Sequence, residues 1–172
     1  MVTAVHRPLP DVRSIAETVT DPELPMLTLA DLGVLRDVWV TPTGTVVVSI
    51  TPTYSGCPAM DAMRDDLRSA LRAAGYDDVE VRTVLDPAWT TDWISESGRA
   101  KLAKAGISPP HLIPTRPAGP IQLDLGNTVR VIRCPQCGST NTEEQSRFSS
   151  TACKSLWRCR SCLEPFEHIK EI

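Results

Sequence analysis

The sequence predicts an α+β fold: a small α-β-β-α-β-α domain with helices on a short mixed sheet over residues 1–107, followed after a linker by a small β module over residues 130–172. Three observations carry this expectation. Apolar residues recur at helical spacing in some stretches and alternate in others. Five of the fifteen prolines fall between residues 109 and 120, which marks 108–129 as an extended, semi-rigid linker. Five of the six cysteines lie beyond that run, four of them in two Cys-x-x-Cys pairs.

Taken in order, Pro10-Asp11 opens a helix whose apolar positions Val12, Ile15, Ala16 and Val19 form one stripe. Pro22 stops it, because the residue before a proline avoids the helical region. Asp21-Pro22-Glu23-Leu24-Pro25 then reads as an acidic, stiffened turn. Strands are expected at about Leu35–Thr41 and Thr45–Pro52, the latter with Val46, Val48 and Ile50 on one face. The short connection through Pro42-Thr43-Gly44 makes them an antiparallel hairpin. Cys57-Pro58 is expected to begin a second helix, proline being well tolerated at the first position. Met60, Met63, Leu67, Ala70, Leu71 and Ala74 form its buried stripe, and Gly75 ends it. Val79–Val84 reads as a third strand, Trp89 and Trp93 as a lid over the small sheet, and Ser95–Ala105 as a third helix.

A hydrophobic fraction of 41% is enough for a packed core. No apolar run approaches the ~20 residues of a membrane span, and the first residues lack the apolar core of a signal peptide. A soluble, cytoplasmic protein with no membrane partner is the expectation. Residues 1–129 carry a balance of −5 and residues 130–172 a balance of +2. Four thiolates around one Zn²⁺ would cancel the latter. No basic footprint of a nucleic-acid binder is present.

Cys134-Pro135-Gln136-Cys137 and Cys159-Arg160-Ser161-Cys162 form two knuckles separated by 21 residues. Two such pairs on turns bring four thiolates together tetrahedrally, which predicts a closed, structural zinc site. Iron of the rubredoxin kind satisfies the same ligands. A β module this small has little core of its own, so metal binding supplies much of its folding free energy. Leu156-Trp157-Arg158 and Phe166-Glu167-His168-Ile169 are the strands expected beside the site.

Subtracting the four knuckle cysteines leaves Cys57 and Cys153. A thiol at a helix N-terminus meets free backbone N–H groups, which favour the thiolate, while Asp61, Asp65 and Asp66 oppose it. A buried structural cysteine is the competing reading. A cysteine hydrolase needs a histidine base, and His6, His111 and His168 lie at the terminus, in the linker and in the zinc module. Metal or cluster handling asks for less: one thiolate and nearby oxygen ligands, which Asp21, Glu23, Thr51 and Thr53 supply if their loops converge. One cysteine does not hold an iron–sulfur cluster alone. The remaining ligands then come from a homodimer sharing Cys57, from Cys153, or from a client protein.

Asp21-Pro22-Glu23, Asp31-Leu32-Gly33 and Thr51-Pro52-Thr53-Tyr54-Ser55-Gly56-Cys57-Pro58, in that order, resemble the SufT-like iron–sulfur assembly family over about residues 10–107. The resemblance implies a small α+β domain and a shared site at Asp21, Glu23, Thr51, Thr53 and Cys57. With Trp89–Glu96, the linker and the zinc ribbon included, the whole chain looks like a family of accessory subunits, the D components of the bacterial ring-1,2-phenylacetyl-CoA epoxidase of phenylacetate degradation. That family usually has glycine where Ser149 stands, before Cys153. The resemblance implies a maturation factor rather than an enzyme. Its cargo would be a transient iron–sulfur cluster and its partners the epoxidase components, above all the [2Fe–2S] reductase. A non-catalytic scaffold within the epoxidase complex is the alternative.

Overall fold

The computed structural model describes residues 11–54, 56–111 and 131–172. The chain forms two compact units, one made of the residues up to Trp89 with Trp93–Gly98, the other of Thr90–Asp92 with the chain from Arg99 onward.

In the first unit, α1 (Val12–Ala16) is capped by Asp11, whose carboxylate accepts from the Ser14 N–H at 3.3 Å. The helix is shorter than its stripe. Val19 leaves it to accept from the Leu29 N–H at 2.9 Å, and Thr20 bridges Thr28. β1 (Leu35–Val40) pairs antiparallel with β2 (Val46–Ile50), which pairs in parallel with β3 (Val79–Thr83) in the order β1-β2-β3. β2 is buried along its whole length, as the central strand of a small mixed sheet. The parallel step from β2 to β3 requires a crossover, which α2 (Met60–Ala73) provides. It buries Met60, Met63, Leu67 and Leu71, as its periodicity predicts.

One expectation for this unit needs correcting. The second helix begins at Met60, not at Cys57-Pro58, because the Cys57 N–H is turned back onto the Tyr54 carbonyl at 3.2 Å. Ala59 occupies the cap and offers no side-chain acceptor. The tryptophan pair meets both the loop leading into β1 and β1 itself. The Trp89 indole N–H donates to the Leu32 carbonyl at 2.9 Å, and the Arg36 guanidinium lies 3.5 Å above the Trp93 ring. Gly33, at φ +68°, is the pivot, since a Cβ there would stand 2.5 Å from the Trp93 Cβ.

α3 (Glu96–Lys104) runs on into the second unit, whose sheet has the order β4-β7-β6-β5. Its strands are β4 (Ile107–Ser108), β5 (Thr142–Ser146), β6 (Lys154–Cys159) and β7 (Pro165–Ile169). β6 and β7 extend the two strands expected from sequence. β5 is polar and sits at the edge, while β4 has only two residues, so neither shows a readable alternation. β4 pairs in parallel with β7, so Ser108 stands in the sheet where the linker was expected to begin. The rest of that linker, 112–129, lies outside the described residues. Ile132, Cys134, Trp157, Cys159 and Phe166 form the buried core.

His168 is buried and its Nδ1 lies 3.1 Å from the Ser108 carbonyl. A carbonyl only accepts, so Nδ1 is the donor there. Glu171 lies beyond, its Oε1 3.5 Å from His168 Nε2, 3.3 Å from the His111 backbone nitrogen and 3.2 Å from His111 Nδ1. Burial works against the Glu171 charge, but His168, its own backbone N–H and His111 outweigh it and hold the carboxyl far below its usual range. Among the described residues no helix is long and apolar enough to cross a membrane.

Candidate functional site

The four knuckle cysteines come together. Cys134 Sγ lies 3.7 Å from Cys162 Sγ, and Cys137 Sγ lies 3.6 Å from Cys159 Sγ. All four sulfurs fall within 4.8 Å of one another, and among the described residues this is the one such group. Zinc–sulfur bonds of ~2.3 Å in a tetrahedron put sulfurs about 3.8 Å apart, so the donor set fits a four-coordinate metal. The knuckles are built alike. The Cys134 N–H donates to the Ser139 carbonyl at 3.0 Å and the Cys159 N–H to the Glu164 carbonyl at 2.9 Å. Each turns through a left-handed residue after its second cysteine, Gly138 at φ 72° and Leu163 at φ 67°. The two turns touch where the Ser139 and Ser161 hydroxyls meet at 2.8 Å.

The electrostatics of the thiols also favour a cation. The backbone N–H of Cys162 favours the Cys159 thiolate most, and with the Ser161 N–H and neighbouring sulfurs it outweighs burial and brings Cys159 down to about 6. At Cys162 the Glu164 N–H acts in the same sense, but burial and the other three sulfurs overcome it and push the thiol up to about 12. At Cys137 the Ser139 N–H is likewise outweighed, chiefly by the Cys159 sulfur and by burial, so its thiol is raised. A divalent cation among the sulfurs would offset the mutual repulsion that raises Cys137 and Cys162.

The second set of predicted residues lies in the first unit, on loops at one end of its sheet. The Thr51 N–H donates to the Val34 carbonyl, the Val34 N–H to the Leu29 carbonyl, and the Leu29 N–H to the Val19 carbonyl, each at 2.9 Å. These bonds tie the loop after β2 to the end of the first helical stretch through Val34 and Leu29, which stand between them. Asp21 and Thr51 are buried, Thr53 and Cys57 are partly exposed, and Glu23 is exposed. Asp21 Oδ1 accepts from the N–H groups of Glu23 and Leu24, both at 2.8 Å, so this carboxylate shapes its own loop. Cys57 stands in the turn before α2, ahead of both Pro58 and the Ala59 cap.

Cys153 belongs to the second unit. Its thiol lies 3.1 Å from the Thr151 hydroxyl, and its carbonyl accepts from the Lys170 N–H at 2.9 Å. Sequence reasoning missed what holds its loop. Glu167, on β7, takes the Lys154 ammonium at 2.9 Å, the Ser150 hydroxyl at 3.1 Å and the Ser149 hydroxyl. Burial opposes the Glu167 charge, yet these bonds hold its carboxyl below the usual range. Leu163 is the one non-glycine at positive φ among the described residues, so Ser149 does not need a glycine's backbone freedom.

Residues 10–87 match the model of an iron–sulfur cluster assembly protein family, and residues 119–170 match that of the PaaD zinc β-ribbon domain. An Escherichia coli (strain K12) protein named as the D component of a 1,2-phenylacetyl-CoA epoxidase is 41% identical over 93% of this chain and 91% of its own length. The chain belongs to this PaaD-like family. Its first unit is also similar to shorter relatives of the assembly family. A Porphyromonas gingivalis protein named Fe-S protein maturation auxiliary factor is 33% identical over 54% of this chain and 88% of its own. A Bacillus anthracis domain of unknown function, known as a crystal structure, is 27% identical, with a TM-score of 0.49 over 53% of this chain and 87% of its own. As a PaaD-like protein, the chain joins an assembly-type domain and a zinc ribbon in one polypeptide.

Proposed function

We propose that the chain is a non-enzymatic maturation factor for the phenylacetyl-CoA epoxidase, delivering an iron–sulfur cluster to the [2Fe–2S] reductase component. The observation that carries this reading is Cys57. It lies partly exposed on a turn of the unit whose relatives are named as Fe-S maturation factors. The loops of Asp21 and Thr51 are linked in that unit by backbone bonds that run through Val34 and Leu29. Zinc fills the Cys134, Cys137, Cys159 and Cys162 site and supplies folding free energy rather than chemistry, since four thiolates leave no open position. Cys57 supplies one thiolate to the cargo cluster, and the reductase or a second copy of the chain supplies the rest.

The test is anaerobic maturation of the apo-reductase by the zinc-loaded chain with iron and sulfide. Cys57→Ser should lower the maturation rate at least about tenfold and leave the zinc content unchanged. Equal rates for parent and variant would sink the proposal and leave the scaffold reading.

A further inference from the structure

Among the described residues, His168 Nε2 is the one buried side-chain nitrogen or oxygen without a hydrogen-bond partner. The residue is 1% exposed, so water does not serve it freely. The rest of the ring is fixed. Nδ1 donates to the Ser108 carbonyl across the β4–β7 pair, and Trp157 meets the ring edge-on with centroids 6.3 Å apart. A buried polar atom left bare costs free energy, so this position calls for a partner. The group facing it is Glu171, whose Oε1 lies 3.5 Å from His168 Nε2 and 3.2 Å from His111 Nδ1. With Nδ1 donating, an uncharged His168 turns its Nε2 lone pair toward the carboxylate, acceptor against acceptor. A doubly protonated ring would pair directly with Glu171, but such charge-assisted bonds close to about 2.7–2.9 Å. A shared metal ion accounts for the longer spacing. Bonds of ~2.0–2.1 Å to nitrogen and oxygen in a tetrahedron put neighbouring ligand atoms about 3.3 Å apart. The two observed spacings bracket that length.

We propose that His111, His168 and Glu171 form a second metal site, taking one divalent ion of the zinc class and leaving its fourth position open to solvent. Two imidazoles and a carboxylate suit such an ion, and a ligand histidine characteristically rests its other ring nitrogen on a backbone carbonyl, as His168 does on Ser108. The Glu171 carboxyl is already held in its charged form, as a ligand must be. The three donors are set more openly than the four thiols, which all fall within 4.8 Å of one another. The edge that has to close joins the two rings, whose centroids stand 6.4 Å apart. His111 closes it by turning about its own side-chain bonds, for its side chain is 57% exposed while His168 is locked. A site with three protein ligands, one of them mobile, binds more weakly than a closed set of four thiolates. It therefore exchanges its ion while the knuckles keep theirs. The proposal does not depend on the maturation reading.

The experiment is equilibrium dialysis of the full chain, already carrying one zinc on its cysteines, against rising free Zn²⁺ at neutral pH. The parent should take up a second ion. His111→Ala removes an exposed ligand and leaves the core alone, so it should weaken the second uptake at least about tenfold and keep the first zinc. Glu171→Gln should abolish the second uptake and also keep the first. His6→Ala should match the parent, which separates this site from adventitious binding at another histidine. Nitrogen NMR supplies a local readout: the His168 Nε2 signal should move as the second ion enters the parent. Failure of the parent to take up a second ion overturns the proposal, as does equal uptake by His111→Ala and parent. A second ion that leaves the His168 signal unmoved overturns it too, by showing that the ion sits elsewhere and that His168 and Glu171 are an ion pair only.

Discussion

Asp21 shows how a residue of a site motif works in the structure. The motif presents it as an oxygen ligand, but one of its oxygens receives two backbone N–H groups and fixes the loop on which Glu23 stands. Asp21→Ala should destabilise the first unit by roughly 1–3 kcal/mol, the penalty of leaving buried donors without their acceptor. Asp21→Asn should lose much less, because the amide oxygen can still accept. Denaturant titration followed by Trp89 fluorescence would measure both, and an unchanged midpoint for Asp21→Ala would refute the assignment. Residue chemistry alone does not reveal this role. The spacing Asp21-x-Glu23 is equally that of an acidic ligand pair and of a turn closed by its own carboxylate, and only the burial of Asp21 separates them.

At the scale of elements, legibility follows length and periodicity. α2 declares itself through four buried apolar positions, and β2 through its valines. The start of α2 does not, because proline after cysteine suits a turn before a helix as well as a first helical position. β4 is hidden for a different reason: two residues carry no period, and its partner β7 lies about sixty positions away. The Glu171 group next to that pairing gives it a pH signature. The folded carboxyl titrates below its ordinary value of 4.5, so its charge stabilises the second unit above that pH, and the contribution is lost as pH falls below it. Glu171→Gln should therefore be less stable than the parent at pH 7, and the gap should narrow steadily below pH 4.5. A constant gap across that range would refute the linkage.

At the scale of the molecule, the two units have different sources of stability. The first has a sheet with a fully buried central strand; the second has a short-stranded sheet around a metal-binding cluster. Chelation should unprotect the amides of β5, β6 and β7 to hydrogen exchange and leave those of β1, β2 and β3 protected. Simultaneous loss of both sets would show that the units are one cooperative block. Dividing the chain at its prolines assigns the second unit only residues 130–172. The contacts add Thr90–Asp92 and the stretch from Arg99, which composition does not disclose because Ile107 and Ser108 fall between the expected end of the third helix and the proline-rich linker.

The pairing of β4 with β7 has a consequence for how the molecule is made. A ribosome releases Ile107 and Ser108 well before the strand that will cover them. Until β7 emerges, the Ser108 carbonyl waits without the His168 ring that meets it in the folded unit. Metal capture also waits, because Cys159 and Cys162 are translated only shortly before β7. The pairing of the second unit is therefore completed late, once β7 reaches back to a short early strand across about sixty positions of chain.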